Sequence, residues 1–235
     1  MGRALGILSL AALLAAAAPT AFGGWAVVTV EDLPEYLEAG KPTTLSFEIR
    51  QHGVTLVNDF SPTVSLEPVK GGLLSRWREG ETVRAARGRR DGLYQATLTP
   101  SEPGEVTIVI QAAPLRWESK LLPLRVVAAG EDAPALPAHE RGRQLFAAKG
   151  CATCHAKKDD PAFADWNALA VGPDLTGRSF AEGQLAMKLA DAGAYRVPMP
   201  NDAEMPRLAL ADSEIQALVS FLEGGRRSAG RSGGR

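Results

Sequence analysis

Cys151-Ala152-Thr153-Cys154-His155 carries the spacing C-x-x-C-H, in which two thiols add across the vinyl groups of a porphyrin and the adjacent imidazole is placed to bind its iron. The 235-residue chain has two cysteines and spends both here, so no disulfide framework produces this spacing as a by-product. A thioredoxin-like redox pair shares Cys-x-x-Cys but normally follows a strand of a βαβ unit, whereas Arg141 to Lys149 reads as a helix. Structural zinc usually takes four protein ligands, and the other histidines, His52 and His139, lie in no second ligand pair. The preferred reading is one covalent haem c held by Cys151 and Cys154, with His155 as a metal ligand.

Outward from that motif the pattern is helical. Ile215, Leu218, Val219 and Leu222 follow the i, i+3, i+4, i+7 spacing of an amphipathic helix, and Gly224 is placed to end it. Ser179 with Glu182 reads as a capping box for a middle helix from about Phe180 to Ala192. Gly142 and Phe146 share one helical face, and Leu218 and Phe221 another. With these residues, the stretch from His139 to Glu223 resembles a class I cytochrome c. In that family a small residue and an aromatic of the first helix meet a large pair of the last. The family's Ser or Thr cap before that last helix is replaced here by Ala211, with Asp212 and Glu214 acting on the helix dipole instead.

The resemblance also implies the cofactor-binding residues. Gly172-Pro173-Asp174-Leu175 with Gly177-Arg178 looks like the family's loop on the histidine side. There the Pro173 carbonyl accepts the imidazole Nδ1 hydrogen, and Arg178 neutralises a haem propionate. Met205 opens Met-Pro-Arg-Leu-Ala-Leu-Ala-Asp-Ser-Glu-Ile, which matches the run from the axial methionine into the last helix. Met199 in Pro-Met-Pro-Asn is the other candidate, farther from that helix; Met205 is preferred as the second metal ligand. Met187 reads as core. Tyr195, Trp166 and Leu185 either line the haem pocket or simply pack.

The preceding half reads as strands. Leu45, Phe47 and Ile49 alternate with polar residues over Thr43 to Arg50, Tyr94, Ala96 and Leu98 do so over Gly92 to Thr99, and Val106, Ile108 and Ile110 over Gly104 to Gln111. Trp25 to Val30, Val54 to Val57, Thr63 to Glu67, Thr82 to Ala86 and Leu121 to Val127 are further strands, punctuated by Gly and Pro. The expected fold class is therefore two domains, an all-β immunoglobulin-like sandwich over 24–129 followed by an all-α class I cytochrome c fold over 139–225. The first half is similar to immunoglobulin-like modules of bacterial exported proteins, some attached to cytochromes or concerned with copper. His52 is read as a solvated turn histidine rather than a metal ligand. Arg76, Arg78, Arg84, Arg87, Arg89 and Arg90 read as a charged hairpin, with docking of an acidic partner as the alternative. Residues 130–138, with Pro134 and Pro137, read as an extended linker.

Residues 1–23 have one early positive charge, Arg3, an apolar run from Leu5 to Ala18 and small residues at Ala21 and Gly23, the outline of a cleaved signal peptide. The run is shorter than the ~20 residues of a spanning helix, so membrane association is expected only through an uncleaved signal or through partners. A periplasmic or other extracytoplasmic location follows. The net charge of −1 gives no reason to expect nucleic acid. The basic tail, 226–235, reads as disordered.

As a function, these residues imply an exported monohaem cytochrome that passes single electrons through a His/Met-ligated haem, not an enzyme in itself. Its expected partners are exported redox proteins or membrane respiratory complexes, with the sandwich docking or positioning it. The alternative is a haem enzyme or ligand sensor with an open distal site.

Overall fold

The computed structural model describes residues 24–69, 82–193 and 204–229. Among the described residues, eleven strands lie between 26 and 127 and four helices between 138 and 229.

One sheet has the order β1 (Ala26–Val30), β3 (Thr43–Gln51), β8 (Leu93–Leu98), β7 (Ala86–Arg87), with β4 (Thr55–Leu56) beside β3. The other runs β2 (Tyr36–Glu38), β11 (Leu124–Val127), β9 (Gly104–Gln111), β5 (Thr63–Pro68), β6 (Thr82–Arg84), with β10 (Glu118–Lys120) beside β9. All pairs are antiparallel except β2 with β11. The alternating residues of β3, β8 and β9 are the inner faces, since Leu45, Phe47, Ile49, Tyr94, Ala96, Leu98, Val106, Ile108 and Ile110 are all buried in one core. Tyr94 stacks on Phe47, and its hydroxyl donates to Val57 O and accepts from Phe60 N, tying the crossover between the sheets to the core. The sequence places one strand over Thr82 to Ala86. The structure divides it at buried Ala85, with β6 pairing in one sheet and β7 in the other, because the chain changes sheets there. Pro123 has no N–H to donate, and β11 begins only after it.

The helices are α1 (Ala138–Ala148), α2 (Cys151–Cys154), α3 (Gln184–Ala190) and α4 (Asp212–Ala229). α1 crosses α4 at Gly142, where a Cβ would run into the carbonyl of Ala217 and lie 2.7 Å from Phe221 Cβ. Phe146, Phe163 and Phe221 pack around that crossing with ring centroids 5.1 to 5.8 Å apart.

Three helix readings are corrected. α4 does not stop at Gly224 but runs to Ala229, into the stretch read as a tail; Gly224 instead makes room for the His139 ring, whose Nδ1 would lie 2.5 Å from a Cβ there. The Ser179–Glu182 box does not form: Gly183 takes φ 72°, so α3 starts at Gln184, and the Gln184 side chain accepts from Ala181 N. Met187 is not core, being 58% exposed on the outer side of that short helix.

The sandwich and the helices meet along β1. Ala26, Val28 and Val30 face the sandwich core, yet Val27 and Thr29 on the opposite face are buried too. Val27 Cγ1 would lie 2.5 Å from a Cβ on Gly150, and Thr29 Oγ1 donates to Lys149 O at 3.4 Å. Ala148 of α1 belongs to the sandwich core, while Leu122 of the β half packs on the helical core. The connecting segment is fastened as well, by Gly130 N to Glu38 and Leu136 N to Glu35.

Candidate haem-attachment site

α1 ends where Gly150 adopts φ 77°, a left-handed conformation that suits glycine, and the reversal starts α2 at Cys151. α2 carries both thiols, which are free and half-buried. Burial pushes the Cys151 thiol up to about 12 and that of Cys154 to about 11.

His155 follows in extended backbone, and its Nδ1 lies 2.9 Å from Pro173 O. A carbonyl only accepts, so Nδ1 carries the proton and Nε2 keeps its lone pair. Burial lowers the imidazole's pKa, the Pro173 bond opposes this, and the charges of Arg178 and Lys188 reinforce it, so the ring stays neutral at physiological pH. The imidazole packs against Gly172, where a Cβ would collide with the ring and come 2.6 Å from Nδ1.

The loop carrying Pro173 is laced to the segment after the motif. Gly172 N donates to Cys154 O at 3.0 Å and Leu175 N to Ala156 O at 2.8 Å. Lys158 N donates to Thr176 Oγ1 at 3.0 Å, and Gly177 N to Asp159 Oδ2 at 3.1 Å. Asp159 in turn accepts from the buried Lys157 ammonium at 2.6 Å. Desolvation pushes the Asp159 carboxyl up, but the Lys157 and Gly177 hydrogen bonds outweigh it, and the net pKa is lowered. Gly172 belongs to the loop the sequence picks out, whereas residues 156–159 carry no signal there, because a Lys-Lys-Asp-Asp run has the composition of solvated surface.

Arg178 is exposed near enough to act electrostatically on His155. Met205 is half-buried on the same apolar cluster as Cys151, Trp166, Phe180 and Ile215. Leu185 is buried in that cluster. Met199 and Tyr195 lie outside the described residues, as do Arg76 and Arg78. His52 is exposed, edge-on to Trp25, with φ 53°.

The donor set fits a haem. Two thiols on one short helix are followed directly by a neutral imidazole with a free Nε2, and Cys151 and the Met205 thioether pack on one apolar cluster. Among the described residues no group of three His, Cys, Asp or Glu is arranged to hold a metal ion by itself, so a zinc cluster finds no support there.

Residues 139–225 match the cytochrome c family model, and the helical half is a cytochrome c domain. A comparison with curated proteins finds no match. Among solved structures, a superoxide reductase (neelaredoxin) from Ignicoccus hospitalis is 13% identical over 43% of this chain and 80% of its own, with TM-score 0.29. The FdeC adhesin of Escherichia coli is 22% identical over 46% of this chain and 32% of its own, with TM-score 0.32. The sulfur carrier protein SoxY from Chlorobium limicola f thiosulfatophilum is 11% identical over 43% and 79%, with TM-score 0.24. Likenesses of this size carry no argument about activity.

Proposed function

From a cytochrome c domain at residues 139–225, which binds haem and carries electrons, we propose an exported monohaem cytochrome c. Its single haem is anchored by Cys151 and Cys154 and ligated by His155 and Met205. The haem supplies one-electron iron chemistry, and a thioether ligand favours the softer ferrous state. The observation that carries the reading is the His155 geometry. A half-buried, neutral ring with Nδ1 bonded to Pro173 O presents Nε2 as a ready ligand, and that bond fixes its orientation and basicity. The protein's part is to hold the ligands, keep water away and set the local dielectric.

Export, with residues 1–23 as its signal, agrees with covalent attachment outside the cytoplasm. No described helix is long and apolar enough to cross a membrane. Partners in this reading are exported redox proteins or membrane respiratory complexes, with the sandwich docking or positioning the haem domain.

The test is expression in a host competent for c-type maturation, followed by intact mass and pyridine haemochrome assay. One covalent haem per chain is expected, lost when Cys151 and Cys154 are both changed to Ser. Met205→Leu should abolish the weak far-red band of Fe–S(Met) in the oxidised protein and let the reduced protein bind CO, while Met199→Leu changes neither. A colourless wild-type protein with alkylatable thiols overturns the haem assignment. Ready CO binding by the wild type overturns Met ligation in favour of an open distal site.

A further inference from the structure

We infer that Lys149 is a positioning residue of the haem site, joining the sandwich to both sides of the ligand set. The inference rests on the His155 and Met205 reading above.

Lys149 sits two residues before Cys151, and its side chain is 2% exposed. A buried ammonium is costly unless it is paired and hydrogen-bonded. Its Nζ pairs with Glu214 Oε1 at 2.7 Å and donates to the Glu31 carbonyl. Three parts of the molecule converge on this one cation. The first is the end of α1, leading through Gly150 to the attachment residues.

The second is the first turn of α4. Glu214 also accepts from Ala211 N at 3.1 Å, at the end of the strap that Met205 begins, so the Lys149 pair links the histidine side of the site to the methionine side. The third is the sandwich. Glu31 follows β1 directly, Thr29 donates to Lys149 O, and Arg141 of α1 adds bonds to Leu33 O and Pro34 O. On the sandwich side, Arg90 pairs with Glu31 and with Glu48, which is itself 2.5 Å from Arg50.

Nothing in an electron carrier's haem chemistry demands a second domain, yet this one is bonded to the residue that spaces the two ligand-bearing segments. The sandwich therefore holds the methionine strap closed. Its loss loosens the iron–sulfur bond before it unfolds the protein.

The experiment uses the full-length haem-loaded protein and measures the apparent Kd for imidazole, which competes with the methionine sulfur for the iron. Lys149→Met keeps the apolar stem and removes the cation. It should lower that Kd about tenfold, equivalent to about 1.4 kcal/mol of strap opening, and the far-red band should disappear on heating before far-UV circular dichroism changes. A purely structural role would lower the unfolding midpoint with both probes together and leave imidazole affinity at 25 °C unchanged, and that result overturns the inference. If Lys149→Met does not accumulate, Glu214→Gln cuts the same pair while keeping a cap acceptor; unchanged imidazole affinity there is equally fatal. Arg141→Met cuts two of the bonds to the sandwich while leaving Lys149 in place and should give a smaller shift of the same sign. No shift from Arg141→Met alone removes the sandwich from the mechanism. A wild type lacking covalent haem or the far-red band defeats the earlier reading instead.

Discussion

Asp159 shows how much of the site rests on one residue that does not touch it. Its carboxylate neutralises buried Lys157 and holds Gly177 N, and so fastens the loop that presents the Pro173 carbonyl to His155. Asp159→Asn leaves Lys157 without its counter-charge and should destabilise the protein by about 1–3 kcal/mol, read by chemical denaturation. The pH dependence has a definite sign. The folded-state pKa is lowered from 3.8, so the contribution is complete above the unfolded value and fades as pH falls through the lower folded one. Acid titration by far-UV circular dichroism should show a loss in that window which Asp159→Asn abolishes. Sequence made Cys151, Cys154 and His155 legible because the chemistry fixes their spacing. It could not expose Asp159, since a Lys-Lys-Asp-Asp run is the composition of solvated surface and only the fold buries Lys157.

At the scale of elements, the helix crossing follows from packing alone. Gly142 lets α1 approach until a Cβ would overlap the Ala217 carbonyl, so backbone rather than a flexible side chain stands in the way. Gly142→Ala must push α1 and α4 apart and disturb the Phe146–Phe221 contact, with an expected cost of about 3 kcal/mol, the upper part of the range for overpacking. Guanidinium unfolding of the variant measures it. Val27→Ala is the counterpart on the sandwich. Truncating this outward-facing but buried valine should cost about 1–2.5 kcal/mol, although an outer face of an edge strand would ordinarily tolerate the change. The Gly142/Phe146 and Leu218/Phe221 pairs and the alternating strands were readable because period and size survive in sequence. α3 was misread because Ser179 and Glu182 have the spacing of a box, while Gly183 between them and the helix adopts a left-handed turn. The end of α4 was misread because Gly224 serves His139 rather than a helix stop.

For the whole molecule, what matters is that two chemically different halves share their cores. Val27 and Thr29 read in sequence as one strand's worth of residues among many, and the apolar run Ala26–Val30 does not say what covers its second face. The structure covers it with Gly150 and Lys149, places Ala148 in the sandwich core, and anchors Arg141 to the Leu33–Pro34 turn. Burial lowers the pKa of that guanidinium, the mark of a cation held out of water by the contact. Shared burial makes opening of one half expose the apolar surface of the other, so the two should open together. Hydrogen exchange of the haem-loaded protein should therefore give β1 and α1 a common opening free energy. In Arg141→Met, which removes two bonds across the seam without touching either core, β1 should open at a lower free energy than α1. If β1 already opens independently of α1 in the wild type, the halves are tethered neighbours, and the contact at Lys149 transmits nothing between them.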